Sequence, residues 1–71
     1  MQTVIHCIKT DNHGFVEENG YLSSDINTIY TFKEFIEDGY VFTNNKDLKH
    51  AISIIKSNKS YNYKITLIDL E

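Results

Sequence analysis

Leu48, Ala51, Ile52 and Ile55 recur at i, i+3, i+4 and i+7, which places them on one side of a helix, with Lys49, His50, Ser53 and Lys56 on the other. Such a stripe needs a flat apolar partner. The sequence supplies one directly downstream. After the polar break Asn58-Lys59-Ser60, the residues Tyr61, Tyr63, Ile65 and Leu67 alternate with Asn62, Lys64 and Thr66, the period-two signature of a strand. Thr43 is a good N-cap upstream. The pattern predicts an amphipathic helix over about 44–57 packed on one face of an antiparallel sheet of three to five strands, an α+β domain.

The other strands follow from β-branched runs and turn residues. Residues 3–9 read Thr-Val-Ile-His-Cys-Ile-Lys and end at the turn cluster Thr10-Asp11-Asn12-His13-Gly14. Val4, His6 and Ile8 point one way and Ile5 and Cys7 the other, so both faces are apolar and a central strand is expected. Asn19-Gly20 suits a type I′ turn between Val16 and Leu22, with Glu17 and Glu18 at an exposed tip. Ser24-Asp25-Ile26-Asn27 is a further polar break.

Thr31-Phe32-Lys33-Glu34 has the capping-box pattern, with Phe32, Phe35 and Ile36 on one face and Gly39 placed for a left-handed C-cap. A short helix over about 32–38 is predicted. A hairpin turning at 37–39 is the competing reading, and Tyr40 to Phe42 forms a short strand in either case. The last strand ends in Leu67-Ile68 and Leu70, apolar on both sides, which suggests that it too is central or enters a contact. Ile5, Cys7, Ile68 and Leu70 then need cover from the short helix or from another protein, and they are the expected self-association residues.

With 71 residues the chain reads as a single domain, a size at which only about 60% of the unfolded surface is buried. One cysteine, Cys7, excludes an internal disulfide, and no apolar run is long enough to span a bilayer. A cytoplasmic setting is expected, with extra stability coming from self-association or a partner.

Charge is unevenly spread. Residues 1–43 carry seven acids (Asp11, Glu17, Glu18, Asp25, Glu34, Glu37 and Asp38) against Lys9 and Lys33, whereas five of the seven lysines follow. The acidic half disfavours a polyanion, and every basic residue is lysine, so the bidentate arginine fork for phosphate and guanine is missing. Direct nucleic-acid binding is therefore not expected.

Catalytic patterns are weak. His6 and Cys7 are adjacent on a strand and face apart, and no Cys-x-x-Cys or His-x-x-x-His pair joins them with His13 or His50, so neither a metal nor a cofactor is expected. Cys7 has apolar neighbours and reads as an inert buried thiol. Gly14, Gly20 and Gly39 form no phosphate loop, and Glu17-Glu18 and Glu37-Asp38 sit at predicted turns where water keeps carboxylates ordinary. These features point away from an enzyme.

Tyr21, Tyr30 and Tyr40 lie in the acidic half, where a large ring with a polar tip suits a protein interface or a half-buried strand position. The layout of a first strand, Gly20-Tyr21-Leu22-Ser23, the helix start Phe42-Thr43, Ala51-Ile52 within the helix and Tyr63-Lys64-Ile65 in the last strand resembles small accessory proteins of phages and prophages. The resemblance implies a nonenzymatic inhibitor of a host or antiviral nucleic-acid enzyme, of the anti-CRISPR or other DNA-mimicking kind, acting in the host cytoplasm. Glu17, Glu18, Tyr21, Glu34, Glu37, Asp38 and Tyr40 are the expected contact residues. The alternative is a homodimeric assembly protein.

Overall fold

The computed structural model describes residues 1–24 and 31–70; Asp25, Tyr30 and the polar break beyond Ser24 lie outside the described residues. The elements are β1 (Thr3–Thr10), β2 (Val16–Leu22), β3 (Phe32–Lys33), a 3-10 turn (Ile36–Asp38), α1 (Asn45–Lys56) and β4 (Asn62–Asp69). The strands form one antiparallel sheet in the order β3-β2-β1-β4, with α1 on one face.

β1 is central, as its two apolar faces require. The β1–β2 turn falls on the expected cluster: the Asp11 carboxylate accepts from the amides of His13 (2.8 Å) and Phe15 (3.0 Å), and Gly14 takes φ +85°. Asn19-Gly20 is not a turn. Both residues are inside β2, opposite Ile8 and Cys7. Gly20 is required for a different reason, since a Cβ there would meet the Lys33 carbonyl oxygen at 2.5 Å where β3 crosses close to β2.

Register separates the two faces. Cys7 opposes Gly20 and Ile65, and Ile5 opposes Leu67, so these residues share the helix side. There Ile5, Cys7, Leu22, Phe42, Leu48, Ala51 and Ile55 form the buried core, flanked by Phe32, Ile52, Ile54, Tyr63 and Ile65. Ile68 opposes Val4 and lies on the reverse face. The expected grouping of Ile5 and Cys7 with Ile68 and Leu70 is thus corrected: the first two are sealed under α1, and only Ile68 and Leu70 remain near the surface.

β4 also departs from expectation, as it is an edge strand. Its apolar doubling at Leu67-Ile68 reflects the two faces of the sheet, Leu67 opposite Ile5 on the helix side and Ile68 opposite Val4 on the reverse side, and not a strand on each edge.

α1 begins at the N-cap Asn44, one residue after the expected Thr43. The Asn44 side chain accepts from the Asp47 amide at 2.9 Å and donates to the Asp47 carboxylate at 2.9 Å. Asp47 in the first turn and Lys56 in the last complement the helix dipole. Ser57 ends the helix, its hydroxyl donating to the Ile54 carbonyl at 2.6 Å.

Candidate protein-interaction surface

The helix expected over 32–38 contracts to a single turn. Phe32 and Lys33 pair with Leu22 and Tyr21 as a two-residue strand, which draws their backbone into the sheet before a helix can start. The 3-10 turn that follows has Phe35 at its N-cap with no side-chain cap, and Gly39 is extended (φ −74°) rather than left-handed. Tyr40 to Phe42 makes one isolated bridge, Thr3 with Phe42, in place of a strand.

The segment 34–41 is nevertheless held at both ends. Upstream it leaves β3, whose Phe32 packs on the core. Downstream the Tyr40 amide donates to the Leu22 carbonyl (2.7 Å), and Phe42 and Thr3 exchange two backbone hydrogen bonds (2.8 and 3.0 Å). Between them Gly39 presses on the reverse face of the sheet, so close that a Cβ would come within 2.5 Å of Val4 Cγ1 and 3.3 Å of Tyr21 Cβ. That contact covers Val4, which is fully buried, and answers part of the question of what shields the second face.

Held this way, the segment exposes Phe35 (57%), Tyr40 (39%) and Val41 (39%) alongside the exposed carboxylates Glu34, Glu37 and Asp38. The Tyr40 ring meets buried Phe42 edge-on at 4.8 Å, which fixes it to the core. Tyr21 lies half-buried beside Gly39, its ring 5.0 Å from that of His6. His6 Nε2–H donates to the Asn19 side-chain oxygen at 2.9 Å, so this part of the open sheet face is a small polar-aromatic cluster.

Of the expected contact residues, Glu34, Glu37, Asp38 and Tyr40 are exposed on the 34–41 segment, and Tyr21 lies beside its Gly39. Glu17 and Glu18 are not among them. They lie four and three residues up the strand from Tyr21, about 10–13 Å away at the usual rise. Glu17 is the additional residue where the β1–β2 register shifts, and Glu18 opposes Lys9. Phe35 and Val41 are exposed apolar residues of this segment that the sequence does not single out, because its pattern places Phe35 on the buried face of a helix and Val41 in a strand. For Phe35 a signal was present in the sequence, since it lies between Glu34 and the pair Glu37-Asp38; for Val41 there was none.

No family model matches this chain, and neither does any curated protein or solved structure.

Elsewhere, an open depression of about 340 Å³ between the end of α1 and the start of β4 is lined by Lys56, Asn58, Lys59, Tyr61, Asn62 and Tyr63. It joins none of the histidines, Cys7 or the paired acids. Among the described residues no group of three or more His, Cys, Asp or Glu is placed to hold a metal ion, and no helix is long and apolar enough to cross a membrane.

Cys7 is fully buried, and burial pushes its thiol up to about 11, with Lys9 opposing and Glu18 reinforcing the shift. The folded thiol keeps its proton at pH values where the unfolded one loses it. Its contribution to stability is therefore constant below about pH 9 and falls as pH rises towards 11. Denaturant titrations across that range should show a smaller decline for Cys7→Ala than for the parent. The native thiol should react with a disulfide reagent only as fast as the chain unfolds.

Proposed function

We propose that this chain is a nonenzymatic binding protein that presents the 34–41 segment to a basic surface of a protein partner. One observation carries the reading: Phe35, Tyr40 and Val41 stand exposed among Glu34, Glu37 and Asp38 on a backbone anchored at both ends. Apolar and aromatic anchors ringed by charge have the anatomy of an interface hot spot, and anchoring limits the entropy lost on binding. Carboxylates on the rim would steer association with a cationic groove at rates that fall with salt. With the resemblance to phage accessory proteins, the partner class is a host or antiviral enzyme whose groove normally receives nucleic acid, met in the host cytoplasm.

A photoreactive side chain at position 35 should give a discrete adduct in host extract that one at position 46 on α1 does not, and unlabelled chain should compete it away. With that partner in hand, the triple substitution E34Q/E37Q/D38N should weaken binding at least about tenfold, roughly 1.4 kcal/mol, and flatten its salt dependence. E17Q/E18Q should change it far less. Equal labelling from both positions, or binding indifferent to the triple substitution, would overturn the assignment.

A further inference from the structure

A different surface, independent of the 34–41 segment, is self-complementary. The Leu70 amide donates to the Gln2 carbonyl at 2.9 Å, so Val4·Ile68, His6·Thr66 and Ile8·Lys64 are the hydrogen-bonded pairs of the β1–β4 ladder. The intervening Ile65 and Leu67 consequently turn their amide and carbonyl groups away from β1. No strand of the described residues lies beyond them. Natural edge strands are usually blunted by proline, a bulge, short length or charged side chains, lysine above all. β4 is eight residues long, runs in unbroken register with β1, contains no proline, and leaves Leu67 48% exposed; its single lysine, Lys64, pairs with Ile8 on the reverse face, away from Ile65 and Leu67.

We propose that β4 pairs antiparallel with β4 of a second copy about a twofold axis through Thr66, normal to the sheet, which joins the two four-stranded sheets into one. Residues of equal parity then face each other, so the α1 side of one copy continues into the α1 side of the other. Ile65 lies against Leu67 of the second copy, twice, and these are the residues whose backbone groups point outward, so they form the hydrogen-bonded pair. On the reverse face Thr66 meets its own symmetry mate, a favourable cross-strand pair, and the Lys64 stem lies along Ile68 of the second copy. Asp69 faces Tyr63, and no like charges oppose. Moving the axis one residue to Ile65 would set Lys64 diagonally beside its own copy, a repulsive contact that selects the Thr66 register. β4 matched to itself about Thr66 sets apolar on apolar and opposes no like charges, which assigns the occupant as a second copy.

Sedimentation equilibrium from roughly 1 μM to 1 mM should show the 8.3 kDa mass doubling with concentration. Leu67→Lys should hold it at the monomer value, with circular dichroism confirming that the variant is folded. Thr66 and its mate would form a non-hydrogen-bonded pair with Cα atoms about 4.5 Å apart, within disulfide range. Thr66→Cys should therefore cross-link under mild oxidation much faster than Lys64→Cys, whose position is also exposed. A parent chain that stays monomeric over the whole range overturns the proposal, and equal cross-linking of the two cysteine variants overturns the register.

Discussion

Ile55→Ala is expected to lower stability by about 2–5 kcal/mol, the usual cost of truncating a fully buried aliphatic side chain in a core that cannot close around the space. Ile55 has no solvent exposure and packs with Ile5, Cys7, Leu22, Phe42, Leu48 and Ala51 where α1 meets the sheet. In a domain of this size the loss is comparable with the whole stability, commonly about 5–15 kcal/mol and lower in small domains. Urea unfolding followed by circular dichroism should show the midpoint falling steeply or the cooperative transition vanishing at 25 °C. Ile52→Ala is the internal control, because Ile52 is only half-buried and should cost less. An unchanged midpoint for Ile55→Ala would mean that α1 does not seal the core.

Gly20→Ala is expected to destabilise by about 1–3 kcal/mol, although alanine is intrinsically better than glycine in an element interior by about 0.5–1 kcal/mol. The sign is decided by backbone, which cannot rotate aside as a flexible side-chain tip does. The added Cβ would meet the Lys33 oxygen at 2.5 Å and its carbonyl carbon at 3.1 Å, so β3 must move off β2. The effect should be local as well as global. β3 anchors the upstream end of the 34–41 segment, so amide exchange at 32–38 should quicken more than exchange in α1 or β1. Partner binding should weaken further than the stability loss alone explains. Uniform exchange throughout would show that β3 does not hold this surface.

The two glycines illustrate what a linear reading can and cannot find. Gly14 sits in a dense polar cluster and does what local chemistry predicts, taking a positive φ in the β1–β2 turn. Gly20 follows an asparagine and has an equally good local turn signal, yet it lies flat in a strand because a neighbour distant in sequence approaches its Cα. The same limit applies to 31–34. Its capping-box residues are real, but pairing of Phe32 with Leu22 competes for the same backbone groups and prevails.

The candidate surface was half legible. The acidic character of the first half and the tyrosines within it were visible in composition. That Glu34, Glu37 and Asp38 lie exposed in one anchored segment with Phe35, Tyr40 and Val41, while Glu17 and Glu18 sit elsewhere along β2, depends on where Gly39 crosses the sheet. Nothing in the local sequence of that segment specifies the crossing point.

By itself the sequence determined the helix and its buried stripe, the centrality of β1, the buried thiol and the α+β class, because each rests on periodicity or on side-chain chemistry within a short window. Only the tertiary structure decided that β4 is an edge, that Ile5 and Cys7 face α1 while Ile68 does not, and that 34–41 is an exposed, anchored segment. Those outcomes depend on strand order and register, which are set by contacts between residues far apart in the chain, and a single residue of register moves every side chain of a strand to the other face.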